Sequence, residues 1–328
     1  MPRHFISSAM LVVALSALLF ATVVETAQAQ DFTTKPVRIV VTGPGGSSDT
    51  LARVISIELK DVWKHPVVVE NKSGVGGLIP TLFVQKSAPN GHTLLINTSS
   101  FIVSSETVRA PQYNPMSEFA PVAMLGKGPL MLVARSSLPE NTLQQVLSKA
   151  NQKPDVYTYA STGIGGVGHL SSELFFQEAN VKMRHIPFKG GSQAVASLAG
   201  GDVDLYLGSM SLSQPLLRAG KLKPLATTSL KRSRFAQDVP SAAEAGLPSN
   251  FSLEMWWGIL APAKTPPAII EEINRQVNRA LAKASIREIF SGEGVDAAPM
   301  SVAQFDSYLK AEQVRWKQVV DNSNFEKQ

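Results

Sequence analysis

The 328-residue chain contains no cysteine. That absence excludes disulfides, thiolate nucleophiles, cysteine-ligated zinc, iron–sulfur clusters and lipid attachment to an N-terminal cysteine. Other signatures are missing too. There is no Gly-x-Ser-x-Gly nucleophile elbow. None of His65, His92, His169 and His185 belongs to a His-x-x-x-His or His-Glu pattern, so no metal site is expected. The turn Thr42–Asp49 does not end in Gly-Lys-Ser/Thr and is not a P-loop. Net charge is only +5, with Lys and Arg scattered. The densest basic cluster, Lys231-Arg232-Ser233-Arg234, has no interleaved aromatic and reads as a solvated loop. Without a basic stripe or a recognisable module, no nucleic-acid partner is expected. No nucleophile–base–orienter set emerges, so neither an enzyme nor a cofactor is expected.

What is present begins with a targeting segment. Arg3 and His4 precede the apolar run Met10–Phe20, and Ala27-Gln28-Ala29 is a small-x-small cleavage signal. Residues 1–29 therefore read as a secretory signal peptide cleaved near Ala29, leaving Gln30–Gln328 as a soluble exported product that is not membrane-embedded. The alternative, an uncleaved anchor, draws on the apolar run reaching Val24, but Glu25 interrupts it. A mature length near 300 residues favours two domains.

Val37–Val41 reads as a strand, Thr42–Asp49 as a glycine turn, and Leu51, Val54, Ile55 and Leu59 as the apolar face of a helix capped by Ser47, Ser48 or Asp49. Pro66–Glu70 reads as a buried strand and Asn71–Gly77 as a second glycine turn. A short helix to about Lys86 and the strand Thr93–Asn97 complete a βαβαβ run, which implies a parallel sheet. Val156–Pro187 repeats that grammar of strand, glycine turn, helix and strand. Phe188-Lys189-Gly190-Gly191-Ser192 parallels Asn71–Gly74, and a helix through Ala194, Val195 and Leu198 leads to the strand Val203–Leu207. Two α/β domains of similar build follow. Val122–Ala134, broken by Gly126–Pro129, and Leu253–Leu260 read as the crossings between them. One lobe would comprise 30–130 plus 255–328, the other 131–254. Pro266-Pro267 opens an amphipathic helix, and a final helix spans about Val302–Val320.

The glycine turns carry the functional reading. A strand feeding a helix through glycines aims backbone N–H groups and the positive end of the helix dipole at one point, which suits an anion. Gly163-Ile164-Gly165-Gly166-Val167-Gly168 satisfies G-x-G-x-x-G, yet the acidic residue needed about 20 positions on for a ribose hydroxyl is missing, so a nicotinamide cofactor is not expected. One such turn alone would be a tight joint. Two in matching positions, flanked by Ser47 and Ser48 and by Ser161 and Thr162, point to a shared cleft. His169 reads as packing or capping at a helix start in preference to touching a ligand, and Asp202 and Asp204 as shaping a turn.

Several motifs then fall in order. They include Lys35-Pro36-Val37-Arg38-Ile39-Val40, Gly45-Gly46-x-x-Asp49-x-x-Ala52-Arg53, Val67–Lys72 with Gly74, Gly76 and Gly77, and Ala88–Leu95. Ala160-Ser161-x-Gly163-x-Gly165-x-x-x-His169-Leu170, Ile186–Gly190, Gly200–Asp204 and Trp257–Pro266 continue the series. Across essentially the whole mature chain the sequence resembles the tripartite tricarboxylate transporter receptors, Bug-type extracytoplasmic solute-binding proteins. The resemblance implies a periplasmic protein with the periplasmic-binding-protein α/β fold, its two lobes joined by two crossover segments around a ligand cleft. It also implies a small carboxylate ligand and a membrane transporter or sensor as partner, the receptor itself being a monomer. By position, Thr42, Gly43, Gly45, Gly46, Ser47, Ser48 and Asp49 form one pincer and Ser161, Thr162, Gly163, Gly165, Gly166 and His169 the other. Asn97, Phe188, Gly208 and Ser209 complete the candidate site. Val41-Thr42 stands where the family commonly has Pro-Phe, Phe188 where it often has tyrosine, and Leu207-Gly208-Ser209 where many members have Phe-Asp-Asn. The absent aspartate removes a partner for a ligand amine, so a non-amino-acid mono- or dicarboxylate, aromatic or aliphatic, is expected. A hydrolase or lyase on the same scaffold, and a subunit that no longer binds ligand, are the alternatives.

Overall fold

The computed structural model describes residues 35–72, 77–322 and 325–327. The expected leader with its cleavage site, and Ser73–Gly76 of the second glycine turn, lie outside the described residues. Among the described residues no helix is long and apolar enough to cross a membrane.

The first half of the sheet is built by β1 (Val37–Val41), β2 (Val67–Asn71) and β3 (Thr93–Thr98), with β1 parallel to both neighbours. These are the short β-branched runs that fit a pleated sheet covered by helices. Helix α1 (Ser47–Trp63) buries Leu51, Ala52, Ile55 and Leu59, the stripe that its 3.6-residue period aligns. Helices α2 (Leu78–Gln85) and α3 (Ser100–Glu106) follow. Two expectations change here. The cap of α1 is Gly46, so Ser47, Ser48 and Asp49 lie inside its first turn and cap nothing. β2 is an edge strand with Val68 54 % exposed, because it has a neighbour on one side only.

Two long strands lie at the middle of the sheet. β4 (Phe119–Arg135) pairs through Phe119–Pro129 with β9 (Glu254–Pro262) and through Leu130–Arg135 with β7 (Leu205–Ser209) and β8 (Leu222–Thr227). β9 in turn joins β3, giving the order β2-β1-β3-β9-β4-β7, beyond which lie β5 (Thr158–Ser161) and β6 (Arg184–Pro187). The Gly126–Pro129 stretch does not break β4 as the sequence reading expects. Its glycines serve close approach: a Cβ on Gly126 would lie 2.6 Å from the Asp296 carbonyl, and one on Gly128 2.2 Å from that of Gly294. This clearance lets β10 (Asp296–Ala297) lie against β4.

The second half repeats the parallel plan with β5 (Thr158–Ser161) between β6 (Arg184–Pro187) and β7. Its helices are α4 (Leu143–Gln152), α5 (Val167–Glu178), α6 (Gly191–Gly200) and α7 (Met210–Arg218). The strand expected from Val203 starts at Leu205. Asp204 just before it is occupied by Thr158, whose N–H and hydroxyl donate to its carboxylate at 2.8 and 2.9 Å, and by Arg135 at 3.0 Å. Helices α8 (Pro267–Leu281) and α9 (Ala284–Gly292) cover the first half. The last helix, α10 (Val302–Asn322), packs on α3, β4 and α5 and so touches both halves. Its Phe305 and Trp316 are fully buried, each worth about 1.5–3 kcal/mol of hydrophobic stabilisation. The Phe305 ring sits on Gly258 of β9, where any Cβ would clash at 2.4 Å.

Candidate functional site

The carboxyl ends of β1, β3, β5 and β7 face one cavity of about 360 Å³. Among the helices that begin at its wall are α1 at Ser47, α5 at Val167, α6 at Gly191 and α7 just after Ser209. The residues before them are Gly46, Gly166, Gly190 and Ser209, and none supplies a side-chain cap. Each start therefore leaves first-turn N–H groups for another acceptor, with about half a positive charge behind them. Thr98 and Ser100 add hydroxyls from the end of β3, and Lys189 is the only charged side chain among the described residues of the wall. Leu130, Leu212, Met255 and Trp257 make the rest of the lining apolar. The chamber suits an anion with a small hydrocarbon body.

Not every candidate residue reaches that chamber. Thr42, Gly43, Gly46, Ser47, Ser48, Thr162, Gly166, Gly208 and Ser209 line it. Gly45, Asp49, Asn97, Ser161, Gly163, Gly165, His169 and Phe188 are absent from its wall and lie behind it or to its side. Several of them brace what the wall presents.

Behind the first turn, Asp49 accepts hydrogen bonds from the Gly45 N–H (3.3 Å) and from Asn71 Nδ2 (2.9 Å), and pairs with Arg53 at 3.1 Å. Burial alone would raise its carboxyl pKa, but the bonds from Asn71, Arg53 and Gly45 outweigh that and hold it below the usual range. Gly45 itself has φ +75°, a conformation that favours glycine. Buried Asn97 does similar work below β3. It accepts from the Thr98 N–H at 2.8 Å and the Ser100 hydroxyl at 3.0 Å and donates to Thr81 at 3.0 Å, so it fixes the two hydroxyl residues of the wall.

Behind the second turn stands a different device. The Gly165 N–H donates to Nδ1 of His169 at 3.2 Å, which requires that nitrogen to be unprotonated. His169 stacks on His185 with ring centres 3.9 Å apart, and Tyr159 stacks on His185 at 4.9 Å. The Tyr159 hydroxyl donates to Glu173, whose carboxylate lies 3.8 Å from Nε2 of His169. Burial lowers the His169 pKa, with Glu173 opposing; burial and the neighbouring His169 push His185 down to about 3. Both rings are therefore neutral at pH 7. Ser161 Oγ lies 2.6 Å from Nε2 of His185 and accepts the Gly163 N–H at 3.1 Å. Ser161 is fully buried, so this pair holds the turn and presents no nucleophile to the cavity. Phe188 is tied to Ser161 through its backbone N–H (3.0 Å) and packs its half-buried ring into the second-half core.

A smaller cavity of about 120 Å³ lies on the far side of the second turn, bounded by Gly163–Gly166, Leu78, Thr107 and Tyr113. The Ser47 and Ser211 hydroxyls meet at 2.8 Å, joining the starts of α1 and α7. The sequence reading misses Lys189–Gln193 and Tyr206 in the main wall. Gly190-Gly191 before a helix repeats the pattern of the two chosen turns, so that signal was present.

Comparison with known proteins places this geometry in a group. Residues 51–325 match the family described as "Tripartite tricarboxylate transporter family receptor". Protein BugT of Bordetella pertussis is 34% identical over 295 residues, covering 89% of this chain and 90% of its own. The solved structure of Rpa4515 from R. palustris with adipate superimposes with a TM-score of 0.83 at 32% identity, over 88% of this chain and 97% of its own. MatC from Rhodopseudomonas palustris with bound malate gives 0.80 at 31% identity, over 87% and 99%. The mixed α/β architecture is that of periplasmic binding proteins of this type.

Proposed function

The chain belongs to the tripartite tricarboxylate transporter receptor family, and from that premise we propose that its cleft captures a small carboxylate, reversibly and without chemistry. The single observation that carries this reading is the convergence of four uncapped helix starts on one chamber. A hydrogen bond to a charged group contributes about 1.5–3 kcal/mol net. Three or four of them, less the cost of ordering the ligand, reach the roughly −8 kcal/mol of a micromolar complex. Donors that are neutral also let the ligand leave again.

The ligand is a non-amino-acid mono- or dicarboxylate, aliphatic or aromatic. The wall offers donors and apolar surface, and no carboxylate lines it among the described residues. The adipate and malate held by two structural neighbours support the class. Residues 1–29 direct export and are removed near Ala29, so the receptor works in the periplasm, and it does so as a monomer. Residues 30–130 with 255–328 form one lobe and 131–254 the other; they close on the ligand about β4 and β9. A membrane transporter or sensor then receives the occupied form.

A thermal-shift screen tests the reading. Simple mono- or dicarboxylates are expected to raise the melting temperature, and to be recovered unchanged. Stabilisation by amino acids with none by simple carboxylates, or steady turnover of the added acid, would overturn it.

A further inference from the structure

Tyr206 and Gly208 stand two residues apart on β7, so their substituents leave the same face of the strand. The Tyr206 ring lies across Gly208. A Cβ built on Gly208 would fall 2.4 Å from two ring carbons and 2.3 Å from the phenol oxygen. That oxygen is also 3.3 Å from where a Cβ would sit on Gly191, the first residue of α6. Tyr206 is 2 % exposed and yet belongs to the cavity wall. Among the described residues its hydroxyl has no hydrogen-bond partner.

The hydroxyl opens onto the cavity, and once a ligand fills that space and excludes water it needs a partner there, because a donor cut off from water without one costs free energy. Burial also pushes the phenol pKa up, so the group remains a protonated donor throughout the working range of pH. It points at the start of α6, whose cap residue Gly190 has no side chain to satisfy the first N–H groups. A donor hydroxyl beside the uncapped start of α6 suits an acceptor that carries negative charge.

We propose that Tyr206 is a ligand-binding residue: its hydroxyl, with the first N–H groups of α6, donates to an anionic oxygen of the bound carboxylate. The clearance at Gly208 holds the ring in that pose. The inference rests on the reading of the chamber as a carboxylate site. It adds a consequence for specificity. With Tyr206 and α6 both donating, an ammonium group on the ligand at this wall would be desolvated against other donors, so acids that place an acceptor here are selected.

The test compares the wild type, Y206F and G208A against adipate, malate, benzoate and glutamate, first by thermal shift and then by calorimetry with the acid that stabilises the wild type most. Y206F, which removes one oxygen, is expected to weaken that acid about ten- to a hundredfold, with the melting temperature of the ligand-free protein unchanged or raised. G208A, which displaces the ring, is expected to weaken it in the same direction. Affinity of Y206F within twofold of the wild type would overturn the proposal. Should Y206F fail to fold, G208A with unchanged affinity would overturn it equally. If glutamate stabilises the wild type and the simple acids do not, the reading of the chamber as a site for non-amino-acid carboxylates itself fails, and that result is visible before any variant is made.

Discussion

The two glycine turns that frame the chamber have the same backbone job and opposite supports. The first is held by an anion: Asp49 gathers the Gly45 N–H, Asn71 and Arg53 around one carboxylate. The second is held by neutral rings: His169 accepts the Gly165 N–H and stacks on His185, which stacks on Tyr159. The difference teaches that a donor-lined cleft need not be built by a repeated sequence. What repeats is a strand ending, glycines and a helix beginning. The braces are free to differ because they never meet the ligand, and their chemistry makes the two turns respond differently to crowding, to side-chain loss and to acid.

Crowding should separate them most. Gly165 has φ +71°, and an added Cβ would meet Thr107 at 3.2 Å and Phe325 at 3.1 Å. Gly45 has φ +75° but nothing within 4 Å. Gly165→Ala is expected to cost about 2–3 kcal/mol of unfolding free energy and Gly45→Ala about 1 kcal/mol, the backbone term alone. Urea titration of the two variants would break the comparison if the costs were equal.

Removing the braces should have a smaller effect. Asp49→Ala strands the Gly45 N–H and the Asn71 amide and is expected to cost about 1–3 kcal/mol. His169→Phe keeps a ring in the stack and loses the acceptor for Gly165 together with the longer contact to Glu173, at about 1 kcal/mol. Calorimetry should show carboxylate affinity falling in both variants, although neither side chain lines the chamber.

Acid provides the finest distinction. His185 has a folded pKa of about 3 against an ordinary 6.5. Below pH 6.5 the unfolded chain binds a proton that the fold refuses, so this contribution is complete above 6.5 and declines as pH falls toward 3. His169 is shifted the same way. Asp49 is lowered below its ordinary 3.8, so its contribution is present above that value and is lost only as pH falls through the lower folded one. Between pH 6.5 and 5 only the second brace should weaken. Unfolding measured across that interval should show a slope that His185→Phe reduces and Asp49→Asn leaves alone; the reverse pattern would show that the braces are misassigned.

Much of the frame was legible in the sequence. Val37–Val41, with Leu51, Ile55 and Leu59 after it, has periods that only a strand and an amphipathic helix satisfy, and both form there. The glycine turns were legible because strand-to-helix joints need residues that take positive φ, as Gly45, Gly163 and Gly165 do. The sequence reading passes over helix α4, although Thr142-x-x-Gln145 is a capping box that marks its start. What lay beyond reach was the direction of polar side chains near the strand ends. Ser161 and Thr162 are neighbours in sequence, yet one is buried under the turn and the other lines the chamber. Asn97 and Thr98 divide the same way. Tyr206 shares a strand face with Gly208, but no local pattern marks it as part of the site. Its aromatic character reads as core until the space over Gly208 is seen. The role of Gly126 and Gly128 likewise depends on β10, some 170 residues away in sequence, which no local pattern reports.

A crystal structure of the protein with the carboxylate that stabilises it most tests the central claim directly. The expected result is one carboxylate group in the chamber within about 2.7–3.2 Å of donors from both the Thr42–Asp49 turn and the Ser161–Gly168 turn, with Asp49, His169 and His185 out of contact behind them. A ligand bound to one turn alone, or seated outside the chamber, would contradict it.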